Sequence, residues 1–168
     1  MGTRLTRRML PLALLVVVGV GTAMAATLTQ GGTVKAAKSS TYGSLLVSSS
    51  GMTLYHMTAE KPGAIKCTGG CATFWPPLLL SGNTKPTAGS GVTAAKLGTI
   101  KRPDGHIQVT YNRMALYRYS LDKKPGEAKG QGVQGIWFAV TPAGKLAKAG
   151  ATAPATTTTT SGGGYGKR

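Results

Sequence analysis

Apolar and polar residues along this chain come in short runs of β character rather than on the 3.6-residue period of a helix. Leu45-Leu46-Val47 and Met52 to Met57 are two apolar runs joined by Ser-Ser-Gly, which reads as a β-hairpin. Ile107 to Tyr111 alternates, turns at Asn112-Arg113 and continues into Met114 to Tyr119, which reads as another. A third hairpin joins Leu97-Gly98-Thr99-Ile100 to Ile107 through Arg102-Pro103-Asp104-Gly105, where Pro and Gly occupy turn positions. Ile136 to Val140 has the composition of a buried strand, closed by Thr141-Pro142-Ala143-Gly144. No segment after residue 25 shows a long capped helical period, so the expected fold class is all-β.

The start of the chain is different. Arg4, Arg7 and Arg8 precede an apolar stretch, Leu10 to Val20, interrupted only by Pro11 and Gly19, and Ala23-Met24-Ala25 follows. This is the pattern of an export signal peptide over residues 1–25, cleaved before Ala26. The apolar stretch falls short of the ~20 residues a spanning helix needs, so no membrane span is expected after cleavage. Residues 26–41 are small and polar and read as a flexible spacer. Residues 149–168 are low-complexity Thr, Gly and Ala, too poor in apolar surface to offset the entropy of ordering, and read as a disordered tail. The folded domain is placed at 42–148.

Within that domain the chain repeats itself. Val47, Met52, Leu54, Tyr55, Met57 and Glu60 align with Val109, Met114, Leu116, Tyr117, Tyr119 and Asp122 at a constant offset of 62. The same offset aligns Gly70 with Gly132 and Trp75 with Trp137, the two tryptophans of the chain. Self-similarity at a fixed offset means two copies of one supersecondary unit, here two hairpin-based repeats packed into one small β domain.

Tyr117-Arg118-Tyr119-Ser120-Leu121-Asp122 fits Y-x-[FWY]-x-x-D, followed by Pro125-Gly126, Gly130-Gln131-Gly132 and Trp137. The first copy adds Cys67, Cys71-Ala72 and Trp75-Pro76-Pro77-Leu78. Over about residues 43 to 144 the chain resembles the bacterial secreted-repeat family, described as predicted lipoproteins with a Yx(FWY)xxD motif. The resemblance implies a secreted or surface-attached β-repeat protein and no known biochemical role. The first copy departs from the motif, with Met57 and Glu60 in place of an aromatic and Asp, and no cysteine near the cleavage site offers a lipid anchor.

Acids are scarce. The chain has four Asp and Glu against twenty Lys and Arg, for a net charge of +16. Three of the basic residues lie in the leader, which leaves the mature chain at +13. Such a field attracts polyanions, and outside a cell the candidates are anionic wall and envelope polymers, membrane head groups, acidic polysaccharide and stray DNA, with no specific nucleic-acid partner indicated; the alternative is a solvated surface that only keeps the protein soluble. Two of the four acids, Glu60 and Asp122, fall at the same repeat position. They are read as acceptors of backbone N–H groups from the following loop, with ligand or cation contact as the alternative. Tyr55 and Tyr117 are expected half-buried with hydroxyls bonded to a loop. Trp75 and Trp137 are expected as core anchors, with an exposed platform for sugar as the alternative.

Cys67-Thr-Gly-Gly-Cys71 is read as a disulfide, since the glycines permit a tight turn and an exported chain is oxidised. The alternative is a copper site from His56, Met57, Cys67 and Cys71, although adjacent strand residues point to opposite faces, which separates His56 from Met57. A zinc set of Cys67, Cys71, His56 and His106 has the right count but no finger spacing. Gly130-Gln-Gly132-Val-Gln-Gly135 spells G-x-G-x-x-G, yet a strand pattern follows it where a dinucleotide site needs a helix. With two histidines, four acids and no G-x-S-x-G or H-E-x-x-H, the chain is expected not to be an enzyme, and no cofactor is expected. The expected role is a non-enzymatic secreted or envelope-associated binding or structural protein; the alternative is a copper-like metal-binding or electron-transfer protein.

Overall fold

The computed structural model of the protein describes residues 32–148, together with Met1 and Gly2. The expected leader beyond residue 2, the spacer up to residue 31 and the tail 149–168 lie outside the described residues.

The elements are β1 (Thr33–Ser39), β2 (Gly43–Ser48), β3 (Tyr55–Met57), a short helix α1 (Gly70–Phe74), β4 (Thr87–Ala88), β5 (Leu97–Lys101), β6 (Ile107–Tyr111), β7 (Met114–Ala115) and β8 (Trp137–Ala139). One-turn 3₁₀ segments cover Ala94–Lys96 and Val133–Gly135. The architecture is mostly β. Among the described residues no helix is long and apolar enough to cross a membrane. Two readings need correction. Thr33–Ser39, inside the stretch read as a spacer, is a strand: β1 pairs antiparallel with β2 from Val34↔Ser48 to Ser39↔Gly43 and buries Val34 completely. Its Val34 sits in a run of small residues whose alternation is too weak to see in sequence. The Cys67–Cys71 segment, read as a turn, runs at Gly70 into α1, which continues to Phe74.

The hairpins β1–β2 and β5–β6 are equivalent parts of the two copies. They pair in the same way, with Ala36↔Leu46 matching Thr99↔Val109. The hydrogen bonds make Leu46, not Val47, the counterpart of Val109: Leu54 N–H donates to Leu46 O, and Leu116 N–H donates to Val109 O. The offset is 62 after the turn and 63 before it, because the first copy carries one more residue between Val47↔Thr53 than the second does between Thr110↔Ala115. The longer turn uses Gly51 at φ 81°. The tighter one puts Asn112 and Arg113 at φ 48° and 66°, in the left-handed region that most side chains avoid.

Each copy ends in a strand that leaves its own hairpin and completes the other's. Leu78 N–H donates to Leu116 O, and Leu78 O accepts from Val109 N–H, both in the second copy. Correspondingly, Val140 N–H donates to Leu54 O, and Val140 O accepts from Leu46 N–H, both in the first. On the axis between the copies, Tyr55 and Tyr117 exchange both backbone hydrogen bonds, at 2.8 and 2.9 Å. The core has two layers. One gathers Leu46, Leu54, Leu78, Val109, Leu116 and Val140, three matched pairs from the two copies. The other gathers Tyr55, Trp75, Tyr117 and Trp137 with Cys67 and Ala139. Neither layer is complete with one copy alone.

Candidate functional site

The motif residues converge where the copies cross. Strand alternation sends Tyr55 inward, and its phenol donates to Asp122 Oδ2 at 2.7 Å. Tyr117 donates to Glu60 Oε1, also at 2.7 Å. Each copy's tyrosine therefore bonds the other copy's carboxylate, with all four residues buried. The carboxylates also hold the loops that follow them. Glu60 Oε1 accepts from Lys66 N–H and Cys67 N–H, and Asp122 Oδ1 accepts from Lys129 N–H, seven residues past the acid like Cys67. Burial, reinforced by the hydrogen-bonded carboxylates, pushes both phenols above their ordinary range, so they remain protonated donors. Burial also raises the Asp122 carboxyl, with the Tyr55 bond opposing. One oxygen of the arrangement, Glu60 Oε2, is buried without a partner among the described residues, as is Nε of Arg118, next to Tyr117 in sequence.

Behind these pairs lies an aromatic stack. Trp75 and Trp137 lie face to face, 3.8 Å between centroids and 3° between planes. Tyr119 stacks on Trp75 at 4.2 Å. Tyr55 meets Trp75 edge-on at 5.5 Å, and Tyr117 meets Trp137 edge-on at 5.2 Å. Met57, the counterpart of Tyr119, packs against the same core layer without adding a ring. The tryptophans are 5% and 1% exposed, which makes them core anchors and not an exposed platform for sugar.

Cys67 and Cys71 are bridged, Cα atoms 5.2 Å apart, so neither thiolate is free to bind a metal. His56 points away from Met57, with its Nδ1 3.1 Å from Ala115 O, and the copper set His56, Met57, Cys67 and Cys71 does not come together as four ligands. The zinc set loses the same two thiolates, and among the described residues no three His, Cys, Asp or Glu side chains are grouped as a metal site requires. Gly132 and Gly135 serve positive φ in a loop that leads into β8, not a phosphate-binding turn.

Arg102 has defined work although it falls in no motif. Arg102, 2% exposed, donates from Nη1 to Gln108 Oε1 and from Nη2 to Cys67 O, tying the disulfide loop of the first copy to the second. Its Nε pairs with Asp104. Asp104 two residues on was the available signal. Gly130 packs its bare Cα against Trp75 and Tyr55; a Cβ would lie 2.8 to 2.9 Å from their rings. Above the tryptophan pair opens a cleft of about 440 Å³ lined by Met57, Cys71, Phe74, Tyr119, Val133 and Gln134. Phe74, 59% exposed, stands on its rim.

Two strand-exchanged copies and a crossed tyrosine–carboxylate lock define a two-repeat β protein. The chain belongs to the family described as a secreted repeat of unknown function, whose profile matches it twice, over residues 36–79 and 98–141. No curated protein and no solved structure matches the chain.

Proposed function

We propose that the protein is a non-enzymatic extracellular or envelope-associated binding protein that holds anionic polymer through an uncompensated cationic surface. The carrying observation is where the acids go. Glu60 and Asp122 are buried in the tyrosine lock. Asp104 is taken by Arg102, and Glu127 by Lys129 and the backbone N–H of Lys123 and Lys124. Among the described residues, exposed cations such as Lys38, Lys61, Lys85, Lys101 and Arg113 face no carboxylate. Their field is left to an external partner, and opposite charges in solution are drawn to it at rates that fall with salt.

The test is retention of the mature protein on polyphosphate and on an acidic polysaccharide between 50 and 500 mM NaCl. Binding that weakens steeply with salt, and weakens further in a Lys→Gln variant of several exposed positions, is expected. Retention that is flat across that range contradicts the reading.

A further inference from the structure

We propose that the cleft over the paired tryptophans is a binding site for a small, flat aromatic ring bearing one hydrogen-bonding oxygen, of the phenol or quinone class. The proposal is independent of the cationic surface. Its first support is the pattern of likeness between the copies. The lock and the tryptophan pair keep the same kind of residue in both copies: Tyr55 and Tyr117, Glu60 and Asp122, Trp75 and Trp137. Four cleft positions have diverged across the same axis. Met57 faces Tyr119, Cys71 faces Val133, Ala72 is replaced by Gln134, and Phe74 by Ile136. The disulfide accounts for Cys71 and the stack for Tyr119, but neither accounts for Phe74 or Gln134, and together the differences turn a two-fold surface into an asymmetric cleft.

The chemistry of the wall selects the ligand. Met57 and the disulfide sulfur of Cys71 are polarizable and make favourable contacts with ring edges. Phe74 and Tyr119 supply ring surface for stacking or edge-to-face contact. The volume, about 440 Å³, lies in the range of small-molecule sites. Among the described residues no charged side chain lines it, so an ionic ligand gains nothing there, and a sugar would leave most of its hydroxyls unpaired. Gln134 on the wall carries an amide that can meet one ligand oxygen or hydroxyl, and Tyr119 adds a phenol.

Gln134 is also the second, separate observation. It sits at φ 53°, ψ 17°, in the left-handed region, between Gly132 and Gly135, which have positive φ as well. A glutamine in that conformation is strained where glycine would not be, and strain of this kind gathers at ligand-contacting loops. Its side chain is exposed, so interior packing does not hold it in that conformation.

The test is titration of the mature, oxidised protein with 1-naphthol and with a naphthoquinone, read by tryptophan fluorescence at 50 and 500 mM NaCl. Saturable 1:1 quenching, unchanged by salt, is expected. Phe74→Ala should weaken it about tenfold, and Gln134→Gly several-fold. Gln134→Gly relieves the left-handed strain, so its melting temperature should hold or rise, and a loss of binding cannot be put down to unfolding. Absence of saturable binding overturns the proposal. So does binding that both variants leave intact, or a concentration-dependent dimer abolished by Phe74→Ser, which would show that a second copy covers the cleft. Loss of polymer retention with the quenching preserved would remove the cationic-surface reading alone.

Discussion

The loop after Glu60 and the loop after Asp122 occupy equivalent places and are held by different means. The first is closed by the Cys67–Cys71 disulfide and anchored through Arg102 Nη2 to Cys67 O. The second has no cysteine. Gly130 lies against Trp75 and Tyr55, Gly130 N–H donates to the Tyr55 hydroxyl, and Gln131 bridges Ala139 N–H and Ala147 O. What is common to both is the carboxylate that gathers backbone N–H groups and the tyrosine that reaches it from the other copy. The lock is the shared element. The staple is local and replaceable, a covalent bond in one loop and close packing in the other.

Four experiments break or sharpen this comparison, in order of expected size. Trp75→Ala and Trp137→Ala should each cost about 3 to 5 kcal/mol in chemical denaturation, because each removes half of one stack. A cost confined to one of them would show that the stack is not shared. Gly130→Ala should cost about 2 kcal/mol, since the new Cβ meets two buried rings, whereas its counterpart change Thr68→Ala, on an exposed residue, should be nearly neutral. Equal costs would mean that the two loops are held alike. Tyr55→Phe should cost about 1 to 2 kcal/mol, and more than Tyr117→Phe. It strips Asp122 Oδ2 of its donor, while Glu60 Oε1 keeps two backbone N–H groups.

The smallest effect concerns the strand position that is His56 in one copy and Arg118 in the other. Burial holds the His56 imidazole below its ordinary value of 6.5. The unfolded chain then binds the extra proton first, so stability is lost as pH falls through about 6.5 and levels off below the folded value. Melting curves from pH 7.5 to 5 should show that loss, and His56→Asn should remove it. Arg118, charged throughout, should contribute no slope in this range. A wild-type slope that survives His56→Asn would assign it elsewhere.

Much of the fold was legible because the sequence repeats. The offset of 62, the hairpins around Leu46 and Val109, the strand at Trp137 and the turn at Arg102-Pro-Asp-Gly all follow from period-2 runs and turn residues. The disulfide followed from two cysteines in an exported chain. Three things were not legible. β1 was hidden because its inward residues, apart from Val34, are too small to mark a period. The slip at Val47 was hidden because a one-residue difference in turn length leaves an alignment of short apolar runs almost as good. The crossing of the tyrosines was hidden because a repeat pattern states which residues are equivalent and not which copy each one touches. The cleft was missed for a related reason: its defining residues, Phe74 and Gln134, lie where the copies differ, and a motif records only where they agree.

The central claim is that the two repeats are one cooperative unit, because each lends the other a strand and a hydrogen-bonded tyrosine. The direct measurement is to express residues 32–96 and 97–148 separately and record amide NMR spectra of each fragment alone and of the oxidised 1:1 mixture. The account expects collapsed, poorly dispersed spectra for the separate fragments and a dispersed, native-like spectrum on mixing. A dispersed native spectrum from either fragment alone would contradict it, and would make the exchanged strands a contact between two independent domains.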